Sequence, residues 1–225
     1  MSGDAGARFP ARPCNVLLAG IGGQGVLTAA QLLAEAAVHA GYDAKKSEVH
    51  GMAQRGGVVT SHVRFGVKVY SPIISPGTVD LLVAFESAEG LRWRSEVRPG
   101  GHLVVNCLQV PPPVVNLGLF RYPEDPIGDL RMGGAMAVEA SALAIALGSP
   151  RLAGTVLVGA AAAWLPLEPS DWEAAVRRRF RDGAVAEQNL QALRRGLEYA
   201  REYRVPGARC GEEEPRAGSR DDDRP

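Results

Sequence analysis

The sequence predicts one doubly wound, Rossmann-like α/β domain with a mostly parallel sheet, a β-hairpin insertion and a helical C-terminal half. Three observations predict it. Short apolar runs alternate with amphipathic stretches through the first half of the chain. The first of those runs ends in a cluster of glycines, and the second half carries helical periodicity almost throughout. A chain of 225 residues, 46% hydrophobic and 22% charged, can bury one such core.

Taken in order, residues 1–13 are polar and punctuated by glycine and proline, which predicts a flexible arm. "CNVLLAG" reads as a first strand. Val26, Ala30, Leu33 and Ala37 then recur at helical spacing until Gly41 stops the helix. "DAKKSEV" reads as a second strand, and "VVTSHVRFGVKVYSP" as a hairpin turning at Phe65-Gly66. "VDLLVAF" is a continuous apolar run suited to a buried parallel strand. "ESAEGLRWRSEV" reads as a helix and "GGHLVVNC" as a further core strand, after which "VPPPVV" crosses to another edge. Met136, Ala140, Leu143 and Leu147 predict a helix over 135–147. Gly154 to Trp164 is an almost wholly apolar helix, and "PSDWEAAVRRRF" a helix capped at Ser170 or Asp171. "VAEQNLQALRRGLEYAREY" is a long helix with charge pairs expected at Arg194–Glu198 and Glu198–Arg201. The domain is expected over 14–205, and the polar stretch 206–225 as a disordered tail. Part of the apolar surface around 154–167 is expected to meet another subunit, the alternative being that the C-terminal helix from Val185 covers it.

Composition excludes several classes. Twenty-five basic and 25 acidic side chains cancel, so no global field draws nucleic acid or an anionic membrane. Three cysteines, Cys14, Cys107 and Cys210, form no C-x-x-C pair and argue against a cluster or zinc site built by this chain alone, and against a secreted disulfide framework. The most apolar run, between Arg151 and Glu168, falls short of the ~20 residues a membrane helix needs. Glycines and prolines interrupt the uncharged runs after Arg12 and Arg98, and "MSGDAGARFPARP" has no signal-peptide core. A soluble cytoplasmic protein is expected.

Two dense stretches carry the chemistry. In "AGIGGQGV", Gly20, Gly22 and Gly25 fit G-x-G-x-x-G, with Gly23 and Gln24 between. Such a turn after the first strand lets backbone approach phosphate and aims the next helix N-terminus at it, or merely allows tight packing. A nicotinamide site would want an acid at the end of the second strand. Asp43 falls at its start instead, and Lys45-Lys46 follow, which form a solvated strand end or else suit a ligand bearing an extra phosphate. No lysine precedes Ser or Thr after the glycines, which excludes a P-loop kinase. The second stretch, "EVHGMAQRGG", sets Glu48, His50, Gln54 and Arg55 among Gly51, Gly56 and Gly57. Arg55 beside open glycine N–H groups is a candidate anion clamp, or else pairs with an acid of this or a partner chain.

Together, "AGIGGQGVLTAAQLLAEAA", "SEVHGMAQRGGVVTSHVR", "SPIISPGTVDLLVAFESAEGLR" and "NLQALRRG" resemble the gamma subunits or domains of 2-oxoacid:ferredoxin oxidoreductases. Within them the likeness is to the small subunits of indolepyruvate:ferredoxin oxidoreductases, and it runs from about Asn15 to Gly196. The pattern departs near Gly154-Thr155, where the family tends to carry an asparagine. The resemblance implies coenzyme A-dependent oxidative decarboxylation of a 2-oxoacid with electrons passed to ferredoxin. Thiamine diphosphate, magnesium and iron–sulfur clusters do that chemistry, and this sequence has neither a G-D-G…N-N signature nor cluster cysteines. The resemblance therefore implies a subunit without redox centres or catalytic residues of its own, acting beside a thiamine- and cluster-binding large subunit. Its expected contacts are Gly20, Gly22, Gly23, Gln24, Gly25, Gln54, Arg55, Gly56 and Gly57, touching either coenzyme A or only the partner. The alternatives from other classes are a stand-alone NAD(P)-dependent dehydrogenase, for which His39, His50, His62 and His102 are the candidate proton-transfer groups, and a coenzyme A-binding module.

Overall fold

The computed structural model describes residues 12–50, 57–111, 115 and 121–203. The expected arm before residue 12, the 206–225 tail, and the candidate contacts Gln54, Arg55 and Gly56 lie outside the described residues. In chain order the elements are β1 (Cys14–Ile21), α1 (Val26–His39), β2 (Asp43–His50), β3 (Val58–Gly66), β4 (Val79–Ala84), α2 (Ser87–Trp93), β5 (Val97–Asn106), α3 (Pro126–Met132) and β6 (Met136–Val138). The helical half follows with α4 (Ala140–Ala146), α5 (Ala153–Ala161), α6 (Pro169–Arg179) and α7 (Gly183–Glu202).

The sheet order is β2-β3-β1-β4-β5-β6. β1, β4, β5 and β6 pair in parallel, and β3 alone opposes its neighbours. The order departs from the all-parallel 3-2-1-4-5-6 of dinucleotide-binding domains because β3 is inserted between β2 and β1. Helices cover both faces. Val16, Leu18, Leu81, Val83 and Val104 pack with α1 and the helical half, whereas Ala84 and Val105 meet Ile127 and Leu130 of α3. β4 is buried at every position, as its unbroken apolar run predicts for a central parallel strand.

Four local expectations are corrected. The hairpin does not turn at Phe65-Gly66. "VVTSHVRFG" is one strand, and its antiparallel partner is β2, with Asp43 opposite Gly66 and His50 opposite Val59. Beyond Gly66 the chain runs without strand structure. Its backbone is held by side chains instead, with Val69 N–H donating to Asp43 and Arg64 donating to the Ser71 and Ile73 carbonyls. Pro72 and Pro76 in that stretch could not donate to a ladder. The 135–147 helix starts only at Ala140, because Met136–Val138 pairs with Val104–Asn106 as β6 and is buried on both faces. A three-residue apolar strand has no period that separates it from a helix turn. The cap of α6 is Glu168, with Pro169 at the first helical position. Asp171 reaches back to accept from Glu168 N–H at 2.9 Å. Finally, Arg194 pairs with Glu173 and Glu187, and Glu198 with Arg195, rather than in the expected Arg194–Glu198 and Glu198–Arg201 pairs.

The partner surface expected at 154–167 is also corrected. α5 is buried from Gly154 to Ala161, and Trp164, Leu165 and Leu167 are buried after it. α7 supplies the cover by backbone-to-backbone approach. A Cβ on Gly159 would lie 2.1 Å from the Leu193 carbonyl oxygen, and one on Gly196 1.9 Å from that of Val156.

At the opposite, amino-terminal end of the parallel strands, Asp80 is a carboxylate inside β4 with 1% exposure. Arg12 grips both its oxygens, Arg98 donates to Oδ1 at 2.5 Å and Asn15 N–H to Oδ2 at 2.8 Å. Burial alone would push this carboxyl up, but the donors from Arg12, Arg98 and Asn15 outweigh it and hold it below the usual range. Since the folded value lies below the unfolded ~3.9, the group stabilises the fold above that pH and the contribution is lost as pH falls through the folded value. Asp80→Asn removes the buried carboxylate that faces two guanidinium groups and is expected to cost about 3 kcal/mol at neutral pH. Urea midpoints check this. The wild-type midpoint should fall between about pH 5 and about pH 3 more steeply than the variant's. Parallel slopes would exclude the Asp80 account.

Candidate functional site

The glycine loop is built by the end of β1. Gly20 has no room for a side chain, since a Cβ there would stand 2.8 Å from Cβ of Phe85, just past β4, and 2.9 Å from Val26 Cγ2 at the start of α1. Gly23 and Gly25 have φ of +102° and +88°, in the left-handed region that side chains resist. Gln24 closes the turn on itself, its Oε1 accepting from Ile21 N–H at 2.8 Å. No side chain caps α1 at Gly25 and its first turn holds no acid. The N–H groups of that turn, and the positive end of a 14-residue helix, are therefore left for a ligand.

The two dense sequence stretches meet. Gly22 N–H donates to the Gly57 carbonyl at 2.9 Å, so the end of "HGMAQRGG" rests on the glycine loop. Gly20, Gly22, Gly23, Gln24, Gly25 and Gly57 thus share one corner of the fold. The candidate clamp of Gln54, Arg55 and Gly56 falls in the connection leading into it, outside the described residues. Lys45 and Lys46 do not join this corner as free cations. Lys45 pairs with Asp43 at 3.5 Å and Lys46 with Glu48 at 2.5 Å, each two residues along β2.

Beside the loop opens a cleft of about 920 Å³. Gly23, Gln24, Gly25 and Thr28 form one wall, Phe85, Asn106 and Leu108 lie at or just past the ends of β4 and β5, and residues 149–155 with Ser141, Phe180, Val185, Gln188 and Asn189 make up much of the remainder. It lies at the carboxyl ends of the parallel strands, where the chain turns from the β3 side of β1 to the β4 side. That is the topological switch point at which open α/β sheets take their ligands. Most of this lining carries no pattern in the sequence. Asn106, 4% exposed, joins the end of β5 to α4 by donating to Ser141 Oγ at 3.0 Å. Thr155 donates to Asn189 Oδ1 at 2.7 Å, tying α5 to α7 at the position where the family pattern departs. Arg151 is the one charged residue among the described lining residues. It is exposed, and its side chain makes no hydrogen bond or ion pair with any described residue.

The polar side chains of the described lining are not titratable, apart from Arg151. Amides, hydroxyls and one guanidinium line the cleft, with no carboxylate, imidazole or thiol among the described lining residues. Next to it, burial and the Glu139 carboxylate push the Cys107 thiol up to about 11, which leaves it protonated at neutral pH. Glu86, 1% exposed, is spent on structure: it accepts from Glu89 N–H, Val110 N–H and the Tyr122 hydroxyl. Of the candidate histidines, His39 bonds Asp171 at the far end of α1, and His62 accepts from Ile74 N–H.

The class of the chain is set by an α/β sheet with a glycine loop and a cleft at its switch point. Comparison with known proteins gives it a family. Residues 15–199 match the family described as pyruvate ferredoxin/flavodoxin oxidoreductase, and the chain belongs to that family. It is 36% identical over 195 residues to the indolepyruvate oxidoreductase subunit IorB of Thermococcus kodakarensis, covering 84% of this chain and 96% of that one. It is 27% identical over 198 residues to the 2-oxoglutarate synthase subunit KorC of Archaeoglobus fulgidus, covering 87% and 92%. Among solved structures it resembles the gamma subunit of a keto/oxoacid ferredoxin oxidoreductase from Geobacter sulfurreducens PCA, with a TM-score of 0.62, 26% identity and coverage of 84% and 99%. Its homologues are small subunits of oxidoreductase complexes.

Proposed function

We propose that the chain is the subunit without redox centres of a 2-oxoacid:ferredoxin oxidoreductase, with indolepyruvate as the 2-oxoacid. It completes the active site for coenzyme A-dependent oxidative decarboxylation carried out on a partner chain. The observation that carries this reading is the cleft, which offers phosphate-binding chemistry and no proton-transfer group among its described lining residues. The 36% identity to an indolepyruvate oxidoreductase subunit supports the substrate. Thiamine diphosphate, magnesium and iron–sulfur clusters belong to the partner in this reading. Among the described residues no group of three His, Cys, Asp or Glu could hold a metal ion.

The residues present fit coenzyme A. Its pyrophosphate would lie against the N–H groups of the α1 first turn and the open backbone of Gly23 and Gly25, and Arg151 would pair with a phosphate as a charge-assisted donor. Thr28, Gln188 and Ser141 offer further polar partners, and Phe85, Leu32 and Leu108 a dry surface. When bound, coenzyme A supplies the thiol that accepts the acyl group. The chain's own part is to hold and aim it. A stand-alone NAD(P)-dependent dehydrogenase fits less well, because the described lining offers no group to exchange a proton beside a nicotinamide. Co-expression with a thiamine- and cluster-binding large subunit should give a brown, co-purifying complex that reduces ferredoxin with indolepyruvate. The chain alone should be colourless. Decarboxylation by the isolated chain would overturn the proposal.

A further inference from the structure

We infer that the arginines flanking Phe180 form an electrostatic capture lip at the cleft, drawing in the polyphosphate end of its ligand. The inference rests on the coenzyme A reading above. Phe180 sits in the connection between α6 and α7 and lines the cleft. Arg178 and Arg179 precede it and Arg181 follows it, and all three are exposed. The nearby acids are already engaged. Glu173 holds Arg194 at 3.0 Å, Glu187 lies 3.8 Å from Arg177, and Asp182 caps α7 by accepting from Ala184 and Val185 N–H. Arg178, Arg179 and Arg181 make no hydrogen bond or ion pair with any described residue.

The charge balance gives this local cluster its weight. The chain as a whole carries 25 cations and 25 anions, so a polyanion approaching from a distance feels no net attraction. Neighbouring Cα atoms lie only ~3.8 Å apart along the chain, so the backbone positions that carry these three arginines stand within about one Debye length, ~8 Å at ~0.15 M salt, of the cleft-lining Phe180. Fields of this kind raise association rates of charged ligands by roughly 10-fold or more and fade with ionic strength. Arg151, inside the lining, acts differently: it holds the ligand once bound. A structural role also exists for two of the three, since Arg178 and Arg179 lie in the last turn of α6, where cations suit the helix dipole. The experiment must separate that role from capture.

The test uses the assembled complex with coenzyme A as the varied substrate, across ionic strengths from about 20 mM to about 500 mM. The triple variant Arg178→Gln/Arg179→Gln/Arg181→Gln should lower kcat/KM for coenzyme A roughly five- to ten-fold at the lowest salt. The deficit should vanish at the highest salt, with kcat and the KM for the 2-oxoacid unmoved. The pair Lys68→Gln/Arg201→Gln, removing exposed charge elsewhere, should track wild type. If Arg151→Gln raises the coenzyme A KM at every salt while the triple variant tracks wild type, the ligand reading stands and the capture lip is overturned. A lowered melting temperature with unchanged salt dependence would likewise reduce these arginines to the helix dipole. If neither Arg151→Gln nor the triple variant moves the coenzyme A KM, the reading and the inference fall together.

Discussion

Replacing Gly196 by alanine should destabilise the chain by about 3 kcal/mol or more, which for a domain of this size lowers Tm by roughly 6–12 °C. The reason is geometric. The new Cβ would stand 1.9 Å from the Val156 carbonyl oxygen and 2.7 Å from Ala160 N, so α5 and α7 cannot keep their present separation. Neither helix can retreat freely, because α5 is buried along its length and α7 closes the same core through Leu190 and Leu193. Gly183→Ala is the control, at the first position of α7 with nothing within 4 Å of its would-be Cβ. It should be neutral or stabilising by up to ~1 kcal/mol, since alanine only restricts the unfolded chain there. Thermal melts of both variants check the contrast. Equal melting temperatures would mean that the helices do not meet through their glycines.

The second large effect is on ligand handling. Arg151→Gln in the assembled enzyme should raise the KM for coenzyme A about 10-fold, the loss of one charge-assisted hydrogen bond worth ~1.5 kcal/mol at a partly solvated site. The KM for the 2-oxoacid should stay put, because the interaction concerns a phosphate remote from the reacting carbons. Lys45→Gln provides the comparison. Its ammonium already faces Asp43, and its removal should leave both constants at wild-type values. Steady-state kinetics with each substrate varied in turn decides the matter, and identical behaviour of the two variants would take Arg151 out of the site.

Much of the fold was legible because local and global preferences agree. β1, the glycine turn and α1 follow one another as an apolar run, φ-permissive residues and a buried stripe of Val26, Ala30, Leu33 and Ala37. β4 announced itself by its length of unbroken apolar sequence. β6 did not, since Met136–Val138 is too short to show a period and its neighbours continue the helical spacing. The partner of β3 was hidden for a different reason: alternation shows that a strand exists but not which strand it joins. The fate of Lys45 and Lys46, by contrast, was readable. Strand period two places Lys45 beside Asp43 and Lys46 beside Glu48, and the ion pairs follow. The glycine turn of the candidate site was legible as a turn, because glycine is the residue that readily adopts the φ values at 23 and 25. The far wall was not. Asn106, Arg151, Thr155 and Asn189 come together only through the sheet and the α5–α7 crossing, and a lone arginine after Ser149-Pro150 carries no pattern. The expected partner contact at 154–167 failed because an all-round apolar helix needs cover on every side, and its own chain provides it.

The most direct test of the central claim is a titration of the purified chain into its isolated thiamine- and cluster-binding partner, following ferredoxin reduction by indolepyruvate in the presence of coenzyme A. The account predicts activity rising from near zero and saturating at equimolar chain. It also predicts that the Arg151→Gln chain reaches the same plateau only at higher coenzyme A. A partner fully active without this chain, or turnover by this chain without the partner, would contradict it.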